Sequence, residues 1–276
     1  MSTRKLLEKY HINAKKHLGQ NFLTDLNLVK KMVTLSGISS DDEVIEIGPG
    51  LGILTGELLK KANKVTAFEI DQKLWTILKE EYRDQSKLEV ILADFLTVDL
   101  SDHFTDDDRP LTVCANLPYY ITTPILFKLF NETLNIEKIV VMMQKEVALR
   151  FCATPKTKDY GALTVISEYK YHSKIILNIP KEAFTPRPKV DSAVVMFVKK
   201  TEREAIDEKD FFALVKSCFK YRRKTIYNNY KELLNEKSAK DNLSAAGIDP
   251  HQRAEELNLG QYLQLFKVHN EKKSLR

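Results

Sequence analysis

Short apolar runs, each bounded by polar residues or glycine, recur along most of the chain up to Lys200. Seven of these runs have the length and composition of β-strands, and they lie at 43–48, 64–70, 88–93, 111–115, 138–143, 174–179 and 192–198. After the first strand, Ile53, Leu54 and Leu58 recur at helical spacing. Strands that alternate with helices in this way predict an α/β fold around a mostly parallel sheet.

The pattern changes beyond Thr201, where a polar stretch reads TEREAIDEKD. A helix with a possible aspartate N-cap is predicted from Asp210 onwards, with an apolar stripe formed by Phe211, Leu214, Val215 and Phe219. Three more short helices are predicted around the apolar residues at 233–234, 243 and 262–266. The sequence therefore predicts two domains, an α/β domain over residues 1–200 and a small all-helical domain over residues 201–276.

Four of the predicted strands end at regular intervals in residues suited to ligand binding. These residues are Gly48, Glu69, Asp94 and Asn116, and each follows the previous one by one strand–helix unit. Parallel strands place their carboxyl ends along one edge of a sheet, where α/β proteins bind their ligands. We therefore expect these four residues to line a single crevice.

The first strand runs into a glycine turn, GPGLG at 48–52, that precedes a helix. Gly48 and Gly50 would let the backbone pass under the amino-acid portion of a cofactor, because a Cβ atom would exclude that portion. Glu69 is placed to accept hydrogen bonds from ribose hydroxyls, and Asp94 to accept one from the cofactor's adenine amine. NAD would also fit the turn and Glu69, but the turn lacks the usual third-glycine spacing of dinucleotide sites.

The fourth strand ends in Asn116-Leu117-Pro118-Tyr119, a turn suited to the methylation of an exocyclic amine. Adenine N6 is a poor nucleophile because its lone pair is delocalised into the ring, and two acceptors for its N–H groups would draw it towards tetrahedral geometry. Asn116 can supply a side-chain oxygen, and either Leu117 or Pro118 can supply a backbone carbonyl. Tyr119 offers a flat face for an unstacked base. An NAD-dependent oxidoreductase does not account for this turn.

Longer motifs extend over nearly the whole chain, and they read HLGQNFLTD (17–25), EIGPGLGILT (46–55), ANLPYYITTP (115–124), MQKEVALR (143–150), FTPRPKVDSAVV (184–195) and YRRKT (221–225). Together they resemble the KsgA/RsmA family of ribosomal RNA adenine dimethyltransferases. The resemblance implies a class I methyltransferase fold, with a Rossmann-like, mostly parallel seven-stranded sheet and a small C-terminal all-helical domain. It also implies S-adenosylmethionine-dependent dimethylation of N6 of two adjacent adenosines in the 3′-terminal hairpin loop of small-subunit (16S) rRNA.

The resemblance also assigns roles to individual residues. Its cofactor-binding positions correspond here to Asn21, Leu23, Gly48, Glu69, Asp94 and Asn116. Phe184 would offer the target adenine a second aromatic face, opposite or beside Tyr119.

Two related functions remain open at the level of sequence. An Erm-type resistance methyltransferase shares the fold but modifies large-subunit rRNA, and its motif usually has isoleucine where Leu117 stands. A ribosome-assembly factor would use the same chain mainly for binding. The motifs at 184–195 and 221–225 favour the small-subunit dimethyltransferase over the Erm type.

The net charge of +5 is modest for a protein that binds nucleic acid, so the distribution of basic residues matters more than their total. Positive charge is concentrated near the carboxyl end of the chain, at Lys220, Arg222, Arg223 and Lys224. We predict that these residues contact rRNA phosphates.

The remaining composition excludes several classes of protein. Three cysteines lie far apart and six histidines show no paired spacing, so we expect no metal site and a reducing compartment. No apolar stretch reaches the length of a membrane span, and the amino terminus lacks the apolar core of a secretory signal. We expect a cytoplasmic monomer that acts on the small ribosomal subunit and its 16S rRNA, away from any membrane.

Overall fold

The computed structural model describes residues 3–104, 110–234 and 236–274, and the chain divides into two compact units. The first unit consists of Met1–Ala148 and Ser173–Lys199, and the second of Leu149–His172 and Lys200–Arg276. The sequence predicts a single boundary at residue 200. The contacts differ from that prediction in one respect, because they group the earlier segment Leu149–His172 with the carboxyl-terminal helices.

The strands and the first helices alternate along the chain, as the apolar pattern predicts. In the described residues the strands are β1 Phe22–Leu23, β2 Glu43–Ile47, β3 Lys64–Glu69, β4 Leu88–Leu92, β5 Leu111–Asn116, β6 Ile136–Gln144, β7 Tyr171–Ile179, β8 Phe184–Thr185 and β9 Ser192–Lys199. The helices up to the end of β6 and just beyond it are α1 Thr3–Lys9, α2 Leu26–Ser36, α3 Ile53–Leu58, α4 Gln72–Glu81, α5 Thr122–Asn131 and α6 Lys145–Phe151.

Seven of the described strands form one sheet in the order β4-β3-β2-β5-β6-β9-β7. Strand β2 pairs in parallel with both β3 and β5, and β5 pairs in parallel with β6. Strand β9 is antiparallel to β6. This arrangement confirms the predicted mostly parallel seven-stranded sheet. It also brings the carboxyl ends of β2, β3 and β5 to one edge.

Helices α2 and α3 pack their apolar sides on one face of this sheet. Met32 and Leu58 from these helices are almost fully buried against Cys114 of β5 and Val140 of β6. Burial of such side chains contributes about 1.5–3 kcal/mol each to the stability of the fold. Cys114 is fully buried, as expected for a small core residue.

The turn between β2 and α3 depends on its glycines. Gly52, the N-cap of α3, has φ 79°, in the left-handed region that favours glycine. A Cβ atom on Gly52 would lie 2.5 Å from Leu78 Cδ1 and 2.6 Å from Tyr82 Cε2. Conformation and space therefore both require glycine here, and the turn keeps its shape beside the sheet edge.

Apart from the first two residues of β7, the regular secondary structure described in the second unit is helical. Its helices are α7 Ala162–Lys170, α8 Glu208–Cys218, α9 Ile226–Tyr230, α10 Glu236–Ala245 and α11 Leu259–Ser274. The ring of Phe211 in α8 lies 5.4 Å from the ring of Tyr169 in α7 and 5.4 Å from that of Phe266 in α11. The contact with Tyr169 explains why the segment containing α7 groups with the later helices.

The sequence prediction places the start of α8 too late. The helix begins at Glu208, and its N-cap is Asp207, whose side chain accepts a hydrogen bond from the backbone N–H of Asp210. Asp210, which the sequence predicts as the start of this helix, therefore lies inside its first turn. Among the described helices, none is long and apolar enough to cross a membrane.

Candidate active site

An open cleft of about 940 Å³, a volume that includes solvent at its mouth, lies at the carboxyl ends of β2, β3 and β5. The predicted residues that line the cleft are Asn21, Leu23, Gly48, Gly50, Glu69, Asn116, Leu117, Pro118 and Tyr119. Two predicted residues, Asp94 and Phe184, do not line it.

The turn after β5 contributes residues to the lining of the cleft that carry candidate hydrogen-bond acceptors for the base. The Asn116 amide donates through Nδ2 to the carbonyl oxygen of Asn21 at 3.4 Å, which leaves Oδ1 as the acceptor of that side chain. The Pro118 carbonyl already accepts from Thr122 Oγ1 at 3.0 Å and from the backbone N–H of Ile121 at 3.2 Å. Because these two donors occupy the Pro118 oxygen, the Leu117 carbonyl is the better candidate of the two for the second acceptor.

The two aromatic residues expected beside the base have different surroundings. Tyr119 is partly exposed in the cleft, and its hydroxyl lies 2.7 Å from Ser192 Oγ, which fixes the far end of the ring. Phe184 is only 3% exposed and belongs to the core packed around Met32 and Leu58. It pairs through β8 with Leu23 of β1. Phe184 therefore supports a wall of the cleft, and its ring does not face the cleft.

The two predicted acidic cofactor ligands also differ. Glu69 is 3% exposed, and its carboxylate accepts from the backbone N–H of Gly50 at 3.0 Å and of Asp71 at 2.9 Å. Burial raises the pKa of Glu69, and those two hydrogen bonds oppose the rise. Asp94 is exposed in the turn beyond the edge strand β4, where it accepts from the backbone N–H of Leu96 at 3.0 Å. In this structure Asp94 stands outside the cleft.

Glu46 in β2 is a cleft residue that the sequence analysis does not single out. It is 1% exposed, and neither of its carboxyl oxygens has a hydrogen-bond partner among the described residues. Burial raises the pKa of Glu46 to about 8, and the charge of Glu69 adds to the rise. Thr55 lies close enough to Glu46 to oppose this rise in pKa, but the Thr55 hydroxyl also has no hydrogen-bond partner among the described residues. An unpaired buried carboxyl is costly, so Glu46 calls for a cationic or hydrogen-donating ligand group.

The amino-terminal segment at 18–23 forms one wall of the cleft. Asp71, just beyond β3, accepts from Lys15 Nζ at 2.9 Å and from Gln20 Nε2 at 3.0 Å, and it caps α4 by accepting from the backbone N–H of Lys73 at 3.0 Å. Burial alone would raise the pKa of Asp71, but the hydrogen bonds from Lys15 and Gln20 outweigh burial and lower it. The buried carboxylate of Asp71, two residues after Glu69 in the sequence, thus anchors this wall of the cleft.

The profile of the family described as ribosomal RNA adenine dimethylase matches residues 11–271 of the chain. The chain belongs to this family. The ribosomal RNA small subunit methyltransferase A of Levilactobacillus brevis is 43% identical to it, over 98% of this chain and 95% of that protein. The protein of the same name from Anoxybacillus flavithermus is 44% identical, over 95% of this chain and 92% of that protein.

Solved structures show the same likeness. A dimethyladenosine transferase from Plasmodium falciparum superposes with a TM-score of 0.78 and 28% identity, over 91% of this chain and 98% of that one. The 23S rRNA methyltransferase ErmE superposes with a TM-score of 0.70 and 27% identity, over 91% of this chain and 100% of that one. These findings confirm the predicted class I methyltransferase fold, the methyltransferase activity and S-adenosylmethionine as the cofactor.

The residues of the cleft fit this cofactor of the rRNA adenine dimethylase family. S-adenosylmethionine carries positive charge on its ammonium and sulfonium groups, and the cleft contains the buried carboxyl groups of Glu46 and Glu69. The described lining residues include these two acids and no lysine or arginine, which suits a cationic ligand better than an anionic one. Glu69 accepts one N–H on each oxygen and keeps lone pairs for the ribose hydroxyls.

A Glu46→Gln variant should be less sensitive to pH than the wild-type protein in the absence of cofactor. Because the pKa of Glu46 is raised in the folded state, its contribution to stability is fully present below the ordinary glutamate pKa of about 4.3. That contribution is lost as the pH rises through about 8. The Tm of the wild type minus the Tm of the variant, measured between about pH 5 and pH 9, should therefore decrease as the pH rises. A difference that does not change with pH would show that Glu46 is not a buried acid of raised pKa.

An Asp71→Asn variant should release the cofactor faster. Asparagine is as good an N-cap as aspartate, so α4 should remain intact, but the loss of charge weakens the hold on Lys15 and Gln20. We expect a roughly tenfold higher dissociation rate, since a hydrogen bond to a charged group contributes about 1.5–3 kcal/mol. Displacement of bound, isotopically labelled cofactor by an excess of unlabelled cofactor measures the rate, and Glu57→Gln, which breaks the ion pair with Lys60, is the control. Equal dissociation rates for Asp71→Asn and wild type would show that Asp71 does not hold the wall of the cleft in place.

The residues predicted to contact rRNA phosphates are all exposed in the second unit, and they are Lys220, Arg222, Arg223 and Lys224. The two lysines pair with Glu232, at 2.6 and 3.7 Å. Arg222 Nε lies 3.5 Å from Glu255, and Arg222 also donates to the carbonyl of Lys158. Arg223 has no ion-pair partner within the described ranges. Three of the four charges are therefore partly neutralised by neighbouring acids.

Proposed function

We propose that this chain dimethylates N6 of two adjacent adenosines in the 3′-terminal hairpin loop of small-subunit (16S) rRNA, with S-adenosylmethionine as methyl donor. The observation that carries the proposal is the pair of acceptors after β5, Asn116 Oδ1 and the Leu117 carbonyl, in a cleft that contains two buried carboxyl groups. The names of the curated relatives support the small subunit as target over the large-subunit target of an Erm-type enzyme. We place its action in the cytoplasm, as a monomer on the small subunit during ribosome biogenesis.

The chain's own residues contribute mainly by positioning the base. Asn116 Oδ1 and the Leu117 carbonyl each accept one N–H of the adenine amine, which localises the lone pair on N6 as the nitrogen becomes tetrahedral. The ring of Tyr119, fixed through its hydroxyl to Ser192, supports the splayed-out base. When bound, S-adenosylmethionine supplies the electrophilic methyl group.

Proton removal does not require a strong base in this arrangement. Once N6 carries the new methyl group it is cationic and strongly acidic, so a solvent molecule can take the proton. The singly methylated amine keeps one N–H, and either the Asn116 or the Leu117 oxygen can accept it after the base rotates. The second methyl transfer therefore relies on one of the two acceptors.

Analysis of rRNA from cells that lack this protein tests the proposal. Mass spectrometry of the 3′-terminal hairpin of small-subunit rRNA should find two unmethylated adenosines, and the wild-type protein should restore both dimethyl groups. A methylation lost from large-subunit rRNA instead would favour the Erm-type function. If Asn116→Ala restored subunit assembly but no methylation, binding would be the dominant role.

A further inference from the structure

Tyr221 is an exposed aromatic residue on a fixed turn of the second unit. Its side chain is 41% exposed, yet its backbone is held on both sides by a buried asparagine. Asn229, 1% exposed, accepts the Tyr221 N–H through Oδ1 at 3.0 Å and donates through Nδ2 to the Tyr221 carbonyl at 3.0 Å. The turn thus presents a large ring to solvent from a backbone that has little freedom to move.

Two ammonium groups lie beside this ring. Lys224 Nζ is 4.0 Å from the ring centroid of Tyr221, and Lys220 Nζ is 5.1 Å from it. A second tyrosine nearby in the sequence, Tyr227, likewise has two lysine ammonium groups within 5.4 Å of its ring centroid. Cation–π contacts occur about once per 70–80 residues in proteins, so four of them on two tyrosines are a local concentration. Proteins that bind unpaired nucleotides combine aromatic rings, on which the bases stack, with basic groups that contact the phosphates.

Glu232 holds the two lysines in place. Its carboxylate pairs with Lys220 at 2.6 Å and with Lys224 at 3.7 Å, and all three side chains are at least 31% exposed. The hydrogen bond from Lys220 lowers the pKa of Glu232, so the carboxylate remains charged. Exposed ion pairs of this kind contribute little to stability, and a phosphate can replace such a carboxylate as partner.

We infer that Tyr221 is a stacking platform for an unpaired rRNA nucleobase, and that Lys220 and Lys224 leave Glu232 to bind the phosphates that flank this base. This inference rests on the proposed rRNA substrate. It adds Tyr221 as a residue that binds an unpaired nucleotide of that substrate. Stacking on an aromatic ring tolerates any base, so Tyr221 contributes affinity for an unpaired nucleotide and no preference for a base sequence.

Steady-state methylation of unmethylated small ribosomal subunits tests the platform with Tyr221→Ala and Tyr221→Phe. Loss of one stacked base should raise KM for the subunits roughly 5- to 150-fold in Tyr221→Ala, whereas Tyr221→Phe keeps the flat ring and should remain near wild type. The turnover at saturating subunits should not change, because Tyr221 does not line the cleft. Leu233→Ala, which removes another exposed apolar side chain of the same unit, is the control.

Equal KM values for Tyr221→Ala and wild type would overturn the inference. An equal loss in Tyr221→Phe and Tyr221→Ala would also overturn it, because the hydroxyl and not the ring would then make the contact. Ultraviolet cross-linking followed by mass spectrometry should find a nucleotide adduct on Tyr221. An adduct to a ribosomal protein at that position would assign the surface to a protein partner and refute the platform.

The salt dependence of subunit binding tests the role of the lysines. Replacing both Lys220 and Lys224 with alanine should make the slope of log affinity against log salt shallower by about 0.7 for each phosphate contact that is lost. In Glu232→Gln both lysines lose their acidic partner, so subunit binding should tighten. An unchanged slope in the double lysine variant would show that the lysines do not reach phosphates.

The same reactions separate this inference from the proposed function. If the wild-type protein methylates the particles and Tyr221→Ala behaves identically, only the platform is refuted. If the wild-type protein does not methylate the particles, the proposed function itself fails.

Discussion

Asn116→Ala should lower turnover by roughly 100-fold or more while leaving cofactor affinity nearly unchanged. The amide oxygen of Asn116 is an acceptor that matters most as N6 becomes tetrahedral, so its loss acts on the transition state and not on cofactor binding. The hydrogen bond it makes to the Asn21 carbonyl is long, at 3.4 Å, and its loss should cost little. Single-turnover methylation of small subunits with saturating cofactor measures the effect.

The matched control for this prediction is Asn116→Asp. Aspartate keeps an oxygen acceptor but cannot donate to Asn21, so its loss of turnover should be smaller than that of Asn116→Ala. Calorimetry of S-adenosylmethionine binding to both variants checks that the cofactor site is intact. Normal single-turnover rates in Asn116→Ala would remove Asn116 from the mechanism.

Glu69→Ala should weaken S-adenosylmethionine binding by about 2–3 kcal/mol, or roughly 30- to 150-fold in Kd. We expect this loss because the variant removes a buried carboxylate that we propose accepts hydrogen bonds from the two ribose hydroxyls. It also leaves the backbone N–H groups of Gly50 and Asp71 without their acceptor, so part of the loss comes from the glycine turn. Titration calorimetry gives the change in affinity.

Two controls separate the direct effect of Glu69 from its effect on the turn. Glu69→Gln keeps an oxygen for one of the backbone N–H groups, so it should lose less affinity than Glu69→Ala. Glu89→Ala removes an exposed glutamate of the edge strand β4 and should bind as the wild type does. Unchanged affinity in Glu69→Ala would exclude Glu69 as a cofactor ligand.

The sequence predicts those parts of the site that depend on local pattern. Strand ends and the glycine turn follow from apolar runs and from residues that permit unusual backbone conformations, so Gly48, Glu69 and Asn116 are found together at one sheet edge. The turn after β5 is equally local. Even there, only the structure shows that the Pro118 carbonyl already accepts from two donors, which makes the Leu117 carbonyl the better candidate of the two.

The sequence does not predict contacts between distant segments. Phe184 is buried because β8 pairs with β1 from the other end of the chain, and local pattern cannot reveal that pairing. Glu46 looks like the polar residue of an alternating strand, but β2 lies in the middle of the sheet and is buried on both faces. A charged residue inside a strand of that kind is the signal that could have identified it. The pairing of Lys220 and Lys224 with Glu232 is likewise tertiary.

The most direct test of the central claim is methylation of purified particles by the purified protein. Unmethylated small subunits and, separately, large subunits are incubated with isotopically labelled S-adenosylmethionine, and the rRNA is then digested and analysed by mass spectrometry. We predict N6,N6-dimethyladenosine at two neighbouring positions of the 3′-terminal hairpin loop of small-subunit rRNA and no label in large-subunit rRNA. Label in large-subunit rRNA, or in no rRNA while a small molecule is methylated, would contradict the assignment.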